Sequence, residues 1–253
     1  MGAALLSATG ALTVIGPLRH AQAEFEIPEV DAEKGAIEAE YRGASHWGLP
    51  RQDQDDDLDL LRQSHEVEFQ YGLTDWWMLR LTPNVEQPAG ESAELASIGI
   101  ETQFVLVPRN GGTFGLALMT GYGPYSLFIA EEDEFEFGPV MELAPGRWLL
   151  TLNPRLTDEP GNADHQGLGF EYAAQARYSV TDRWGVAVLG FGEIEELVDA
   201  EPSEAQVHVL GPSVYVFSAP DAEREWNLGA GVLFGLTESS PDAALRVTFA
   251  VEY

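Results

Sequence analysis

From residue 35 onward, apolar and polar side chains alternate in a series of short stretches separated by segments rich in Gly, Pro, Asn and Asp. Successive side chains of a β-strand point to opposite faces, so a period of two predicts strands. Twelve are expected, near 35–43, 64–71, 77–85, 95–107, 113–122, 134–143, 148–156, 167–179, 184–195, 206–217, 226–236 and 243–253. The segments between them are of two kinds. Tight turns occupy 72–75, 108–112, 144–147, 180–183 and 218–225, with the residue types that turn geometry favours. Longer acidic connections occupy 44–63, 86–94, 124–133, 157–166, 196–205 and 237–242.

Splitting each strand by parity separates two faces. One carries Ile37, Tyr41, Val67, Phe69, Leu79, Leu81, Ile100 and Phe104, and continues through Leu150, Leu152, Val186, Val188, Val232 and Phe234 to Val251 and Tyr253. No charged residue falls in this set on any of the twelve strands. The other face carries Glu38, Glu40, Arg42, Glu66, Glu68, Arg80, Glu101, Glu136, Glu142, Arg155, Glu171, Arg177, Glu193 and Arg246, together with Glu134, Glu195 and Glu252. A buried soluble core would also exclude charge from one face. Here the edges of the apolar set favour lipid: Trp76, Trp77, Phe114, Trp148, Trp184 and Trp226 each start a strand directly after a tight turn. Tyr71, Tyr178, Phe217 and the last residue, Tyr253, reach the same level from the other direction. Indole and phenol rings gather at a membrane–water interface because one end is apolar and the other forms hydrogen bonds. A basic side chain on the lipid face at mid-bilayer costs ~2–4 kcal/mol, which accounts for the one-sided exclusion.

The expected fold class is therefore all-β, a transmembrane antiparallel up-and-down barrel of about twelve strands spanning 35–253, with short periplasmic turns and longer external loops. The whole exported chain resembles Gram-negative outer-membrane barrels. More narrowly, Phe25-Glu26-Ile27-Pro28-Glu29-Val30, Asp75-Trp76-Trp77 and Phe135-Glu136-Phe137-Gly138-Pro139 resemble a family of uncharacterised proteobacterial outer-membrane proteins. That resemblance implies the fold and the bacterial outer membrane as the location, and it brings no substrate or catalytic residue. The strand ending in Tyr253 is similar to the terminal-aromatic strand that such barrels present to the barrel-assembly machinery.

Ahead of the strands, residues 1–18 are small and apolar and lead to Ala21-Gln22-Ala23, the small-x-small pattern of a secretory cleavage site. Residues 1–23 are read as a signal peptide and 24–34 as a short acidic periplasmic leader. The basic n-region is missing from Met1-Gly2-Ala3, which points to an earlier start codon or to an uncleaved helix.

Composition narrows the function. Against 42 acidic residues stand 13 basic ones, a formal net charge of −29, which argues against nucleic acid as a partner. The expected partners are outer-membrane lipids and lipopolysaccharide. With no cysteine there are no disulfides, thiol catalysis or thiolate metal sites. The inward set puts Glu-rich first and second strands beside Arg80, sets Glu136 and Glu142 against Arg155, and closes Arg246 and Glu252 against Glu38 and Glu40. It reads either as a cross-strand ion-pair network that fills the interior or as an acidic pore that favours cations. Barrels of this size that pass acidic oligosaccharides use basic lumens. The candidate chemistry elsewhere is weak. Asp53, Asp55, Asp56, Asp57 and Asp59, and Glu131 to Glu134, supply carboxylates to two loops without a calcium-loop spacing. Ser64-His65 and His208 with Ser213 differ in parity, so neither makes a nucleophile–base pair within one strand. His46 and His165 read as isolated loop residues. No catalytic residue, metal or cofactor is expected, and the channel reading leads over a closed structural barrel and a lipid-modifying enzyme.

Overall fold

A computed structural model describes residues 25–48, 61–129, 133–160, 167–198, 200 and 202–253. The strands are β1 (Ile37–Trp47), β2 (Leu61–Thr74), β3 (Trp77–Pro88), β4 (Glu94–Val107), β5 (Phe114–Gly123), β6 (Glu134–Leu143), β7 (Trp148–Asp158), β8 (Gly169–Ser179), β9 (Trp184–Ile194), β10 (Val207–Phe217), β11 (Trp226–Gly235) and β12 (Ala243–Glu252). Each pairs antiparallel with its sequence neighbour, and β1 pairs with β12, so the sheet closes into a twelve-stranded barrel with no free edge. Closure satisfies every strand's backbone without water, which is what allows strands to cross a bilayer. Among the described residues no helix is long and apolar enough to cross a membrane.

The predicted strands lie within a few residues of the observed ones; the largest difference is at the first external connection. β1 continues through His46 to Trp47, so His46 is a buried strand residue and not a loop residue. Antiparallel pairing with Ala244 extends it beyond the point where the sequence pattern fades. Residues 49–60, with the acidic run and the apolar 58–60, lie outside the described residues, as do the proposed signal peptide, Glu131, Glu132 and His165.

The two faces differ as their parity requires. Phe69, Ile100, Phe137, Val188 and Phe234 are about half exposed on the outside, while Glu68, Gln103 and Glu142 are essentially inaccessible inside. A protein with apolar side chains on its surface and carboxylates within is built for a lipid exterior.

The main departure concerns residues 25–34, within the segment 24–34 read above as a periplasmic leader. At the short-turn end the chain reverses: Gly35 N–H donates to Gly72 O (2.8 Å), and Gly35 holds a left-handed φ of 87° that its missing Cβ permits. A Cβ on Gly72 would sit 1.8 Å from Glu33 O, so only glycine lets the chain pass over the rim there. Residues 25–32 then run back up inside the barrel. Gln103 Nε2 donates to Glu29 O and Asp31 O, Val30 N–H donates to Glu142, and Asn153 Nδ2 donates to Pro28 O (2.9 Å). The cause is complementarity: a backbone too short in periodicity to read as a strand still carries donors and acceptors that the polar inner wall can match.

Candidate functional site

The barrel interior is organised around Glu26 of the inserted segment. Its carboxylate accepts from Arg155 Nη2 at 2.8 Å and from Arg80 Nη1 at 3.3 Å, and lies 3.9 Å from Arg42 Nη1. Each guanidinium also holds wall carboxylates. Arg42 donates to Glu66 (2.9 Å) and Glu68 (3.1 Å) from the next strand, a fork geometry suited to two carboxylates. Arg80 faces Glu68 (3.6 Å) and Glu101 (3.5 Å), and donates to Gln70 and Gln103. Arg155 donates to Glu136 at 2.6 Å and stands opposite Glu171, which in turn stands opposite Glu193. Cross-strand register explains these meetings, since inward residues of neighbouring strands lie side by side.

Two expected pairings differ. Glu142 is held by Arg109, from the turn after β4, at 2.7 Å, and by Val30 N–H at 2.8 Å, in place of Arg155. At the β1–β12 seam, Glu38 stands opposite Glu252 and accepts from Gln70 Nε2 at 2.7 Å. Arg246 lies opposite Ala44 and donates to Phe25 O (2.8 Å) and Tyr215 Oη. Glu40 lies 3.9 Å from Arg42. Arg177 pairs with Glu29 (3.0 Å) and covers the rings of Tyr215 and Phe217. Phe217, expected with the rim aromatics, thus points inward.

The opposite part of the lumen is apolar. Leu189, Phe191, Val209, Tyr215 and Leu233 form a buried cluster against which Phe25 and Ile27 pack. A smaller cluster of Val105, Ala117, Met119 and Val140 receives Val30. The alternation Phe25-Glu26-Ile27 therefore sorts apolar and acidic side chains to different walls. That alternation is visible in the sequence, but Pro28 removes a ladder donor, and the segment reads as neither strand nor helix.

At the short-turn rim, Trp76, Trp77 and Phe104 stack, Trp77 Nε1 donates to Thr102 (2.7 Å), and Trp148 packs on Tyr178. Trp184 and Tyr253 are exposed at the same end, Arg224 covers the Tyr253 ring, and Trp226 is partly exposed. At the other end, on the outer face, two histidines meet tyrosines. Tyr41 Oη bonds His65 Nδ1 (2.8 Å), and Tyr172 Oη bonds His208 Nδ1 (3.1 Å), whose Nε2 bonds Gln206. Ser240 Oγ bonds the backbone N–H and carbonyl of His208 and not its imidazole. Ser64 is buried inside, away from His65. Asp133, of the acidic third connection, accepts from Ser126 and Tyr122, and these hydrogen bonds hold its carboxyl below the usual range.

A closed twelve-stranded antiparallel barrel with an apolar exterior, tight turns at one end and loops at the other has the fold of Gram-negative outer-membrane β-barrels. It superposes on an outer membrane channel from Pseudomonas putida F1 with a TM-score of 0.62 at 12% identity, over 91% of this chain and 100% of that one. It also superposes on the KdgM porin, solved with disordered oligogalacturonate, with a TM-score of 0.50 at 8% identity, over 86% and 98%. Omp33 of Acinetobacter baumannii matches with a TM-score of 0.47 at 12% identity, over 87% and 98%. No protein-family model and no curated protein matches the sequence.

Proposed function

We propose that the chain is an outer-membrane channel for small cationic or neutral solutes, narrowed from within by its own residues 25–32. The observation that carries this reading is the Glu26 cluster. Six carboxylates, those of Glu26, Glu40, Glu66, Glu68, Glu101 and Glu136, share the guanidiniums of Arg42, Arg80 and Arg155. The lumen stays acidic after pairing, and an acidic constriction favours cations. An acidic oligosaccharide such as oligogalacturonate is disfavoured by the same charge. The likeness to a channel and a porin supports the reading at the level of fold. The rim rings Trp76, Trp77, Trp148, Trp184, Trp226 and Tyr253 serve as the periplasmic aromatic girdle, and lipopolysaccharide surrounds the loop end.

The rival is a non-conducting structural barrel, favoured by the near-complete burial of Glu26, Arg42, Arg80 and Glu68. Planar-bilayer recording of refolded protein separates the two. A channel gives cation-selective currents whose conductance rises several-fold when residues 24–32 are deleted. Absence of current from both forms in high salt would sink it and leave the structural barrel.

A further inference from the structure

Between the Glu26 cluster and the loop end of β2 to β6 lies a chamber of about 50 Å³. Tyr125, buried on a 3₁₀ turn (Tyr125–Leu127) after β5, forms part of its lining with its ring folded over Gly123. A Cβ on Gly123 would stand 2.8 Å from that ring, so the glycine is what lets the tyrosine lie down against the wall.

Two oxygens that line this chamber have no hydrogen-bond partner among the described residues, Thr82 Oγ1 and Asn84 Oδ1. Both residues are almost wholly buried, at 4% and 3% exposure. Asn84 Nδ2 donates to Glu86 at 2.6 Å, which fixes the amide and leaves its oxygen, an acceptor only, turned away from that bond. Buried acceptors without a donor are costly and rare in folded proteins. Carboxylates outnumber guanidiniums around this space, because Glu66, Glu101 and Glu136 line it and their guanidiniums are shared with Glu26 and Glu68. Water would satisfy the two oxygens but not the charge. A cation satisfies both.

We propose that the chamber binds one small monovalent cation, an alkali or ammonium ion that keeps part of its water, through Thr82 Oγ1 and Asn84 Oδ1. A bare divalent ion fits less well. Calcium asks for six to eight oxygens at close range, and no group of three or more carboxylate or imidazole side chains converges for a metal among the described residues. Partial hydration keeps binding weak enough for release, as a resting place along a conduction path requires. The proposal deepens the channel reading and rests on it only for the route by which the ion arrives.

The test uses Rb⁺ as the probe and the refolded barrel. Crystals exchanged from Na⁺ into graded Rb⁺ are expected to show an anomalous peak at coordinating distance from both oxygens. Thr82→Val is nearly isosteric and removes only an unpartnered hydroxyl, so the barrel is expected to fold, checked by its heat-modifiable migration on gels. Its Rb⁺ affinity is expected to drop by about tenfold, the scale of one hydrogen-bonding group lost to a charged ligand. No peak in the wild type, or an unchanged peak in Thr82→Val, overturns the site. Rb⁺ bound in a barrel that passes no current removes the channel and keeps the site. Current without a peak does the reverse.

Discussion

On β1 to β4 and β6 to β8 the inward positions carry Arg42, Glu66, Glu68, Arg80, Glu101, Glu136, Arg155 and Glu171. On β9 to β11 the same geometric positions carry Leu189, Phe191, Val209, Tyr215 and Leu233. Both regions are antiparallel with side chains alternating inward and outward, although register shifts interrupt β2 to β4 and not the β9–β10 pair, so the alternation by itself does not choose the kind of interior. The inserted segment serves both, with Glu26 turned to the charged wall and Phe25 and Ile27 to the apolar one. Each wall lacks something that the segment supplies. The guanidiniums gain a central carboxylate, and the aliphatic cluster gains cover from water that a barrel lumen would otherwise admit.

The comparison breaks most severely at Glu26. Glu26→Ala leaves three buried guanidiniums short of a shared partner, although each keeps a wall carboxylate. A loss of about 3 kcal/mol is expected in urea unfolding of the refolded barrel, at the low end for a broken buried ion pair. An unchanged midpoint would mean that the wall carboxylates suffice. Next comes the apolar wall, where Leu189 is fully inaccessible. Leu189→Ala is expected to cost about 2 kcal/mol, below the usual core value because water from the lumen can enter the gap; the same unfolding measurement checks it. The smallest effect falls on the segment's apolar side. Ile27 is only partly buried, so Ile27→Ala should cost about 1 kcal/mol. It should also raise the rate at which a protease added from the periplasmic side cleaves 25–32. If Ile27→Ala loosened the segment more than Glu26→Ala did, the apolar wall would be its principal anchor.

Much of the architecture was legible in the sequence because barrel strands obey a strict period of two against lipid. A charge on the outside at Val188 or Phe137 would be costly whatever the rest of the fold did, so parity alone sorted the side chains of every strand. Turn chemistry did the same for the tight end, where the Pro-Arg-Asn-Gly-Gly run at 108–112 and the Pro-Gly pair at 145–146 stop their strands on schedule. The position of the third guanidinium partner was less accessible. Arg155 could be set against Glu136 from neighbouring strands, but nothing local to residue 26 indicates that it lies between Arg42, Arg80 and Arg155, because those contacts span up to 129 positions of chain.

The amino-acid sequence by itself thus determined the strand count, the lipid face, the aromatic rim and the acidic character of the interior, since each follows from side-chain period and from the cost of charge in hydrocarbon. Only the tertiary structure decided what fills that interior. Whether a twelve-carboxylate wall is an open pore, a paired network or a lined chamber depends on register across the closed sheet and on a segment entering from the rim at Gly35. It is there that Thr82 and Asn84, unremarkable polar residues on a strand, become the two unanswered oxygens of a cation-sized space.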